Sequence, residues 1–277
     1  MVMPRPKQSA GPLSPTVEVF EQIYRERNRP EFIHPDPLEF VTRFRNPSDQ
    51  EVAGIIASSL AFGRVGHILK SLDAVFRMIP SPASDVGGIS RKEMGKSLRS
   101  FRHRWTSGDE LADLLFGVKR LREDYGSLEE FFRAGVREEQ VDIVWPLADF
   151  VAGLRKASEN KCSSLLPCPT GGSACKRLML FLRWMIRKDD VDPGPWTGIS
   201  PSMLVVPMDT HMFRISRALG LTSRGQPDLK CALEVTGFFR SLVPEDPVRY
   251  DFSLTRPGIR KEAGAGRGLE PFQVKAR

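Results

Sequence analysis

The sequence predicts an all-α protein. Two observations carry that expectation: nearly every apolar stretch repeats at helical spacing, and only one short segment, residues 203–206, has the look of a strand. A third is the punctuation, because Pro- and Gly-rich connectors separate the periodic stretches at helix-like intervals. There is no internal repeat.

Residues 1–16, rich in Pro, Ser and Lys without an apolar signal core, are expected to be a disordered leader. Residues 17–256 are expected to form one helical domain. The first clear helix covers 49–60, with Val52, Ile55, Ile56 and Leu60 on one face. Its start reads as a capping box of Ser48 with Glu51. The second covers 65–79, with Val65, Ile68, Leu69, Leu72, Val75, Phe76 and Ile79 in register. The turn Ala61-Phe62-Gly63-Arg64 joins them into a helical hairpin. Residues 80–90 read as a Pro/Gly/Ser linker. Leu111, Leu114, Leu115, Val118 and Leu121 mark a helix over 109–123, stopped by Gly126. Ser127-Leu128-Glu129-Glu130 opens a short helix, and residues 141–156 form another.

Residues 163–172 hold two prolines and two glycines and read as a hairpin loop. The spacing of Leu178, Met179, Phe181, Leu182, Met185 and Ile186 predicts a buried helix over 173–187. Residues 189–200 read as a loop, 210–219 and 229–242 as helices. After Pro257 the chain turns Gly-, Arg- and Lys-rich, and 257–277 are expected to be a disordered tail.

The bulk numbers narrow the function. Net charge is +7, which favours an anionic partner through counterion release, although ordinary solubility explains it equally well. No apolar run approaches the roughly 20 residues that cross a bilayer, so no membrane role is expected and a cytoplasmic location follows by default. Cys162, Cys168, Cys175 and Cys231 lack a Cys-x-x-Cys pair, so neither a zinc site nor a cluster is expected. Cys175 and Cys231 read as small buried hydrophobes. The Asp189, Asp190, Asp192 loop reads as solvated rather than metal-binding.

Two residues suggest chemistry. Lys176 stands at the start of an apolar helix, three residues after Ser173, the expected N-cap. Asp209 stands where the run Val205-Val206-Pro207-Met208 meets a helix start. By itself Lys176 beside Arg177 is an ordinary solvated lysine, and Asp209 an ordinary helix cap.

The segment from about Leu166 to Leu221 resembles the helix-hairpin-helix DNA glycosylases, especially the archaeal-type members that remove 8-oxoguanine. The resemblance rests on the hairpin Leu166-Pro167-Cys168-Pro169-Thr170-Gly171-Gly172, on Lys176 at the following helix start, and on Val206-Pro207-Met208-Asp209-Thr210-His211. The run from Lys176 to Met185 and the phrase Tyr250-Asp251-Phe252 are similar to an uncharacterised bacterial family within that group. One departure stands out. The family's hairpin puts the lysine two residues after the second glycine, whereas Lys176 is four after Gly172.

The resemblance implies two helical lobes around a cleft, with the hairpin and catalytic segment at about 147–221. It implies a bifunctional glycosylase/AP lyase on double-stranded DNA with a damaged base, needing no cofactor, no metal and no obligate protein partner. Lys176 would be the nucleophile, since a neutral amine attacks the anomeric carbon and forms a Schiff base. Burial and a helix N-terminus both favour a neutral amine. Asp209 would stabilise the oxocarbenium-like transition state while also capping its helix.

Around this pair, Gly171, Gly172 and Ser173 would offer amides to a phosphate, with Arg177 beside them. His211 would contact phosphate or the pair, or serve the fold alone. Phe62 and Arg64 would wedge into the duplex where the base is flipped out, or Phe62 would be core. Phe101-Arg102-His103-Arg104-Trp105 mixes basic and aromatic residues as a nucleic-acid surface does, and as a core edge does too. Trp184 reads as core, with base stacking the alternative. The rival reading is a non-catalytic DNA- or RNA-binding protein on the same scaffold. A helical protein-interaction domain is a third.

Overall fold

The computed structural model describes residues 16–159 and 161–260. The expected leader lies almost wholly outside them, as does residues 261–277 of the expected tail. Among the described residues there are thirteen helices and one two-stranded sheet, so the helical expectation holds.

The chain opens with α1 (Val17–Arg27), the single turn α2 (Leu38–Val41), and the hairpin of α3 (Pro47–Ser59) and α4 (Val65–Met78). Two short helices follow, α5 (Pro82–Gly88) and α6 (Arg91–Ser97). The strands β1 (Arg102–His103) and β2 (Thr106–Ser107) make a tight hairpin. Then come α7 (Gly108–Tyr125), α8 (Leu128–Ala134), α9 (Val144–Ala157), α10 (Lys176–Ile186), α11 (Thr210–Ala218), α12 (Leu229–Leu242) and α13 (Asp251–Arg260). None is long and apolar enough to cross a membrane.

Helix α3 is the central element. Every residue from Glu51 to Ala61 is buried, so it lacks a solvent stripe. Its partner α10 approaches closely because Gly54 has no side chain: a Cβ there would lie 2.7 Å from Met185 Cε and 3.3 Å from the Phe181 ring. The Phe181 ring also joins those of Phe132, Phe150 and Trp196 in one aromatic cluster.

Several expectations need correction. The cap of α3 is Asn46, whose side chain accepts from the Ser48 amide, because Pro47 takes the first helical position. Glu51 is therefore not half of a capping box. It turns inward and accepts from Trp196 Nε1 and the Glu129 amide, both at 3.0 Å. The linker at 80–90 contains α5, again begun by a proline. Residues 203–206 find no partner strand. They end a 3-10 turn (Pro201–Met203) and run as buried coil, with the Val206 amide bonded to Thr236 Oγ1 at 3.0 Å. Residues 257–260 of the expected tail are helical instead, since Pro257 lies inside α13 (Asp251–Arg260). The lost backbone bond of that proline is offset by packing, as residues 251–257 are all buried.

The acidic loop is the largest correction. Asp192 is fully buried and Asp189 half-buried, and only Asp190 is exposed. The last turns of α10 carry two buried arginines that need counterions. Arg187 binds Asp192 at 2.9 Å, Asp246 at 2.7 Å, and Asp189. Arg183 binds Asp192 at 3.2 Å and also Asp251. The loop folds back onto these cations, with Asp189 Oδ1 accepting the amides of Val191 and Asp192 at 2.8 Å.

Candidate functional site

A pocket of about 800 Å³ opens where the N-termini of α4, α10 and α11 meet α13. Lys176 and Asp209 both line it.

The local backbone explains where Lys176 stands. Ser173 does not cap α10. Its Oγ accepts the Cys175 amide at 3.2 Å, and Cys175 takes the N-cap position in the left-handed region at φ 46°. Burial pushes the Cys175 thiol up to about 11, and its Sγ donates to the Pro167 carbonyl at 3.4 Å. The turn thus delivers Lys176 as the first helical residue. Its side chain is half-buried, with Nζ 3.5 Å from the Ala61 carbonyl in the α3–α4 turn.

Asp209 caps α11 as expected, its Oδ1 accepting the Met212 amide at 2.7 Å. His211 lines the same pocket, with the Nδ1 edge of its ring against Gly258 of α13. A Cβ on Gly258 would lie 2.4 Å from His211 Nδ1.

Arg177 reaches back to the α3–α4 turn. It donates to the carbonyls of Ser59 and Ser164, both at 2.7 Å, and its guanidinium carbon sits 5.0 Å from the Phe62 ring centre. Phe62 is half-buried and Arg64 exposed, and both line the pocket. Phe62 packs against the core and stacks on exposed Trp105. Lys176, Arg177 and Arg64 make no ion pair among the described residues.

Gly171 and Gly172 fall outside the pocket lining, whereas exposed Ser173 belongs to it. Both glycine amides already donate inside the turn, to Cys168 and Pro169 carbonyls at 3.4 and 2.9 Å. Two of the three amides expected to meet phosphate are thus used within the 3-10 turn Pro169–Gly171 and its cap. Trp184 is buried, as the core reading expects.

Three pocket residues escaped the sequence reading as site residues: Asp36, Asp251 and Arg256. Arg256 binds Asp36 at 2.7 Å, and Asp251 binds Arg183. Burial pushes the Asp251 carboxyl up to about 6 against the attraction of Arg183, and the negative charge of Asp209 acts in the same direction. The phrase Tyr250-Asp251-Phe252 was the one signal pointing there. All four cysteines are free thiols, and among the described residues no group of three or more His, Cys, Asp or Glu could hold a metal ion.

The arrangement offers an amine and a carboxylate in one recess of nucleotide size, lined also by Arg64 and Arg177 and by the ion pairs Arg183–Asp251 and Arg256–Asp36. Residues 36–260 match the model of a family described as a protein of unknown function (DUF2400). No curated protein matches the chain, and no solved structure does.

Proposed function

The chain belongs to that DUF2400 family, whose description assigns no activity, and from the pocket itself we propose a DNA base-excision glycosylase/AP lyase acting on oxidised purine, 8-oxoguanine first. The observation that carries the proposal is that Lys176 and Asp209, set at the starts of two different helices, line one pocket.

In this mechanism the Lys176 amine forms a bond to the sugar's anomeric carbon. The bond from that carbon to the base breaks, and its electron pair leaves with the base, which takes up a proton. Asp209 lies near the positive charge that develops on the sugar and lowers the barrier electrostatically. Opening of the sugar ring gives the Schiff base, and loss of the neighbouring C2′ proton expels the 3′ phosphate. Arg64 and Arg177 would meet the phosphates of the flipped nucleotide. On this reading residues 166–187 serve as the hairpin and following helix, and the pocket is the cleft between two helical lobes.

Borohydride trapping on duplex DNA containing 8-oxoguanine tests it. The wild type should become covalently attached and Lys176→Ala should not. Equal trapping by both, or none by the wild type where a control glycosylase reacts, refutes the chemistry. The altered spacing that puts Lys176 four residues after Gly172 favours a second reading, a DNA- or RNA-binding protein without excision. Salt-dependent duplex binding with no base release would establish it.

A further inference from the structure

Beside the pocket stands an aromatic stack that excision does not use. Arg104 and Trp105 form the two-residue turn of the β1–β2 hairpin, with Arg104 at φ 55°. Trp105 is 63% exposed, yet its ring is mounted firmly: it stacks on pocket-lining Phe62 at 4.8 Å and 23°.

The hairpin is locked to the α3–α4 turn from below. His103 is 2% exposed and meets the Phe62 ring edge-on at 4.6 Å. Its Nε2 donates to the Phe62 carbonyl at 3.0 Å, and its Nδ1 accepts from Ser71 Oγ at 2.9 Å. That pattern is the neutral ring, and burial pushes the His103 pKa down accordingly.

Exposed cations belong to the same hairpin and turn. Arg104 lies over the indole at 4.8 Å, and Arg64 and Arg102 are exposed on the turn and on β1. None of the three makes an ion pair among the described residues. Trp145 is just as exposed, at 65%, but among the described residues no ring or guanidinium is stacked on it. Exposure alone is thus not the signal. The signal is a mounted, solvent-facing aromatic surface, with the Arg104 guanidinium over it and continuous with the pocket through Phe62.

We propose that Trp105 is a stacking platform for an unpaired nucleobase beside the pocket, with Arg104 and Arg64 contacting the flanking phosphates. The guanidinium of Arg104 holds the ring face in the free protein and moves to phosphate as the base takes its place. A flat π-surface accepts any base, and the cations supply the charge complement for the backbone. This rests on the nucleic-acid reading of the site but not on its excision chemistry.

The test is fluorescence anisotropy with two labelled duplexes, one fully paired and one carrying a single unpaired base, each measured with wild type, Trp105→Ala, Trp105→Phe and Lys176→Ala. The wild type should prefer the unpaired-base duplex by about tenfold, a fold-change matching the loss of one stacked base. Trp105→Ala should bring the ratio towards one, and Trp105→Phe should keep most of it. Lys176→Ala should retain the preference while losing borohydride trapping. Full preference in Trp105→Ala, or no preference in the wild type, overturns the platform. Absent trapping by the wild type on duplex containing 8-oxoguanine, with its preference intact, sinks the excision reading alone. Circular dichroism of both Trp105 variants should match the wild type, since the side chain is exposed.

Discussion

Gly258→Ala tests how α13 shapes the pocket. At a helical position alanine is favoured over glycine by roughly 0.5–1 kcal/mol. Opposing that gain, the new methyl would sit 2.4 Å from His211 Nδ1, 3.1 Å from Cε1 and 3.3 Å from Cγ. Cγ is fixed by the first side-chain torsion, so the ring cannot yield by moving only its far end. It must leave its rotamer or push α11 from α13, an overpacking that costs about 1–3 kcal/mol. The expected net effect is a loss of about 1 kcal/mol, or about 2–4 °C in melting temperature for a chain of this size. The same substitution in a His211→Ala background meets no ring and should stabilise by about 0.5 kcal/mol or more. Denaturant unfolding of the four proteins gives the coupling energy directly, expected at about 1–3 kcal/mol. If Gly258→Ala has the same sign and size in both backgrounds, the ring does not rest on Gly258 and the account of His211 is wrong.

Asp209 has two roles that substitution separates. Asn caps a helix as well as Asp does, so Asp209→Asn should keep stability within about 0.5 kcal/mol, while Asp209→Ala should lose about 1 kcal/mol. Both should lose base release, and a fully active Asp209→Asn would remove the electrostatic role. Asp251 gives a pH signature. Its carboxyl is raised by burial from 3.8 to about 6 in the folded chain. The folded state therefore holds a proton that the unfolded state has lost, and the stability this confers fades as pH rises through about 6. Relative to Asp251→Asn, the wild type should lose about 3 kcal/mol between pH 3.8 and about 6 and then level off. A flat or rising difference in urea titrations contradicts the buried carboxyl.

Helical spacing exposed the elements whose polar and apolar faces differ. The span 229–242 was read to the residue, and α4 and α11 each to within one. Helix α13 escaped because its buried face contains Asp251, Ser253, Thr255 and Arg256. Those residues look like surface until their partners are known, and Arg256 finds Asp36 across 220 positions of sequence. Asp189 and Asp192 misled for the same reason. The start of α10 was misplaced by three residues because nothing in Gly-Gly-Ser-Ala-Cys announces a left-handed cysteine. Lys176 and Asp209 were legible as a motif, and their shared pocket is a tertiary fact that no spacing contains.

The charges around that pocket follow two rules. Arg183, Arg187 and Arg256 are buried, and each has carboxylates against it, because an uncompensated buried ion costs several kcal/mol. Arg64, Lys176 and Arg177 line the pocket without an ion pair among the described residues, and Lys176 and Arg177 rest on carbonyl oxygens and the Phe62 ring. Packing alone gives no reason to gather three cations without a counterion, since they repel one another. Asp209 and Asp251 add negative charge on the same wall, close enough for Asp209 to oppose ionisation of Asp251. A ligand that relieves both strains carries anionic groups for these cations and places a centre of developing positive charge beside Asp209. A nucleotide whose sugar is losing its base has that distribution, and a neutral metabolite or an apolar peptide does not. The argument also sets a condition on any rival ligand: it must bind more weakly as salt rises and more weakly still when Arg64 and Arg177 are both replaced by glutamine.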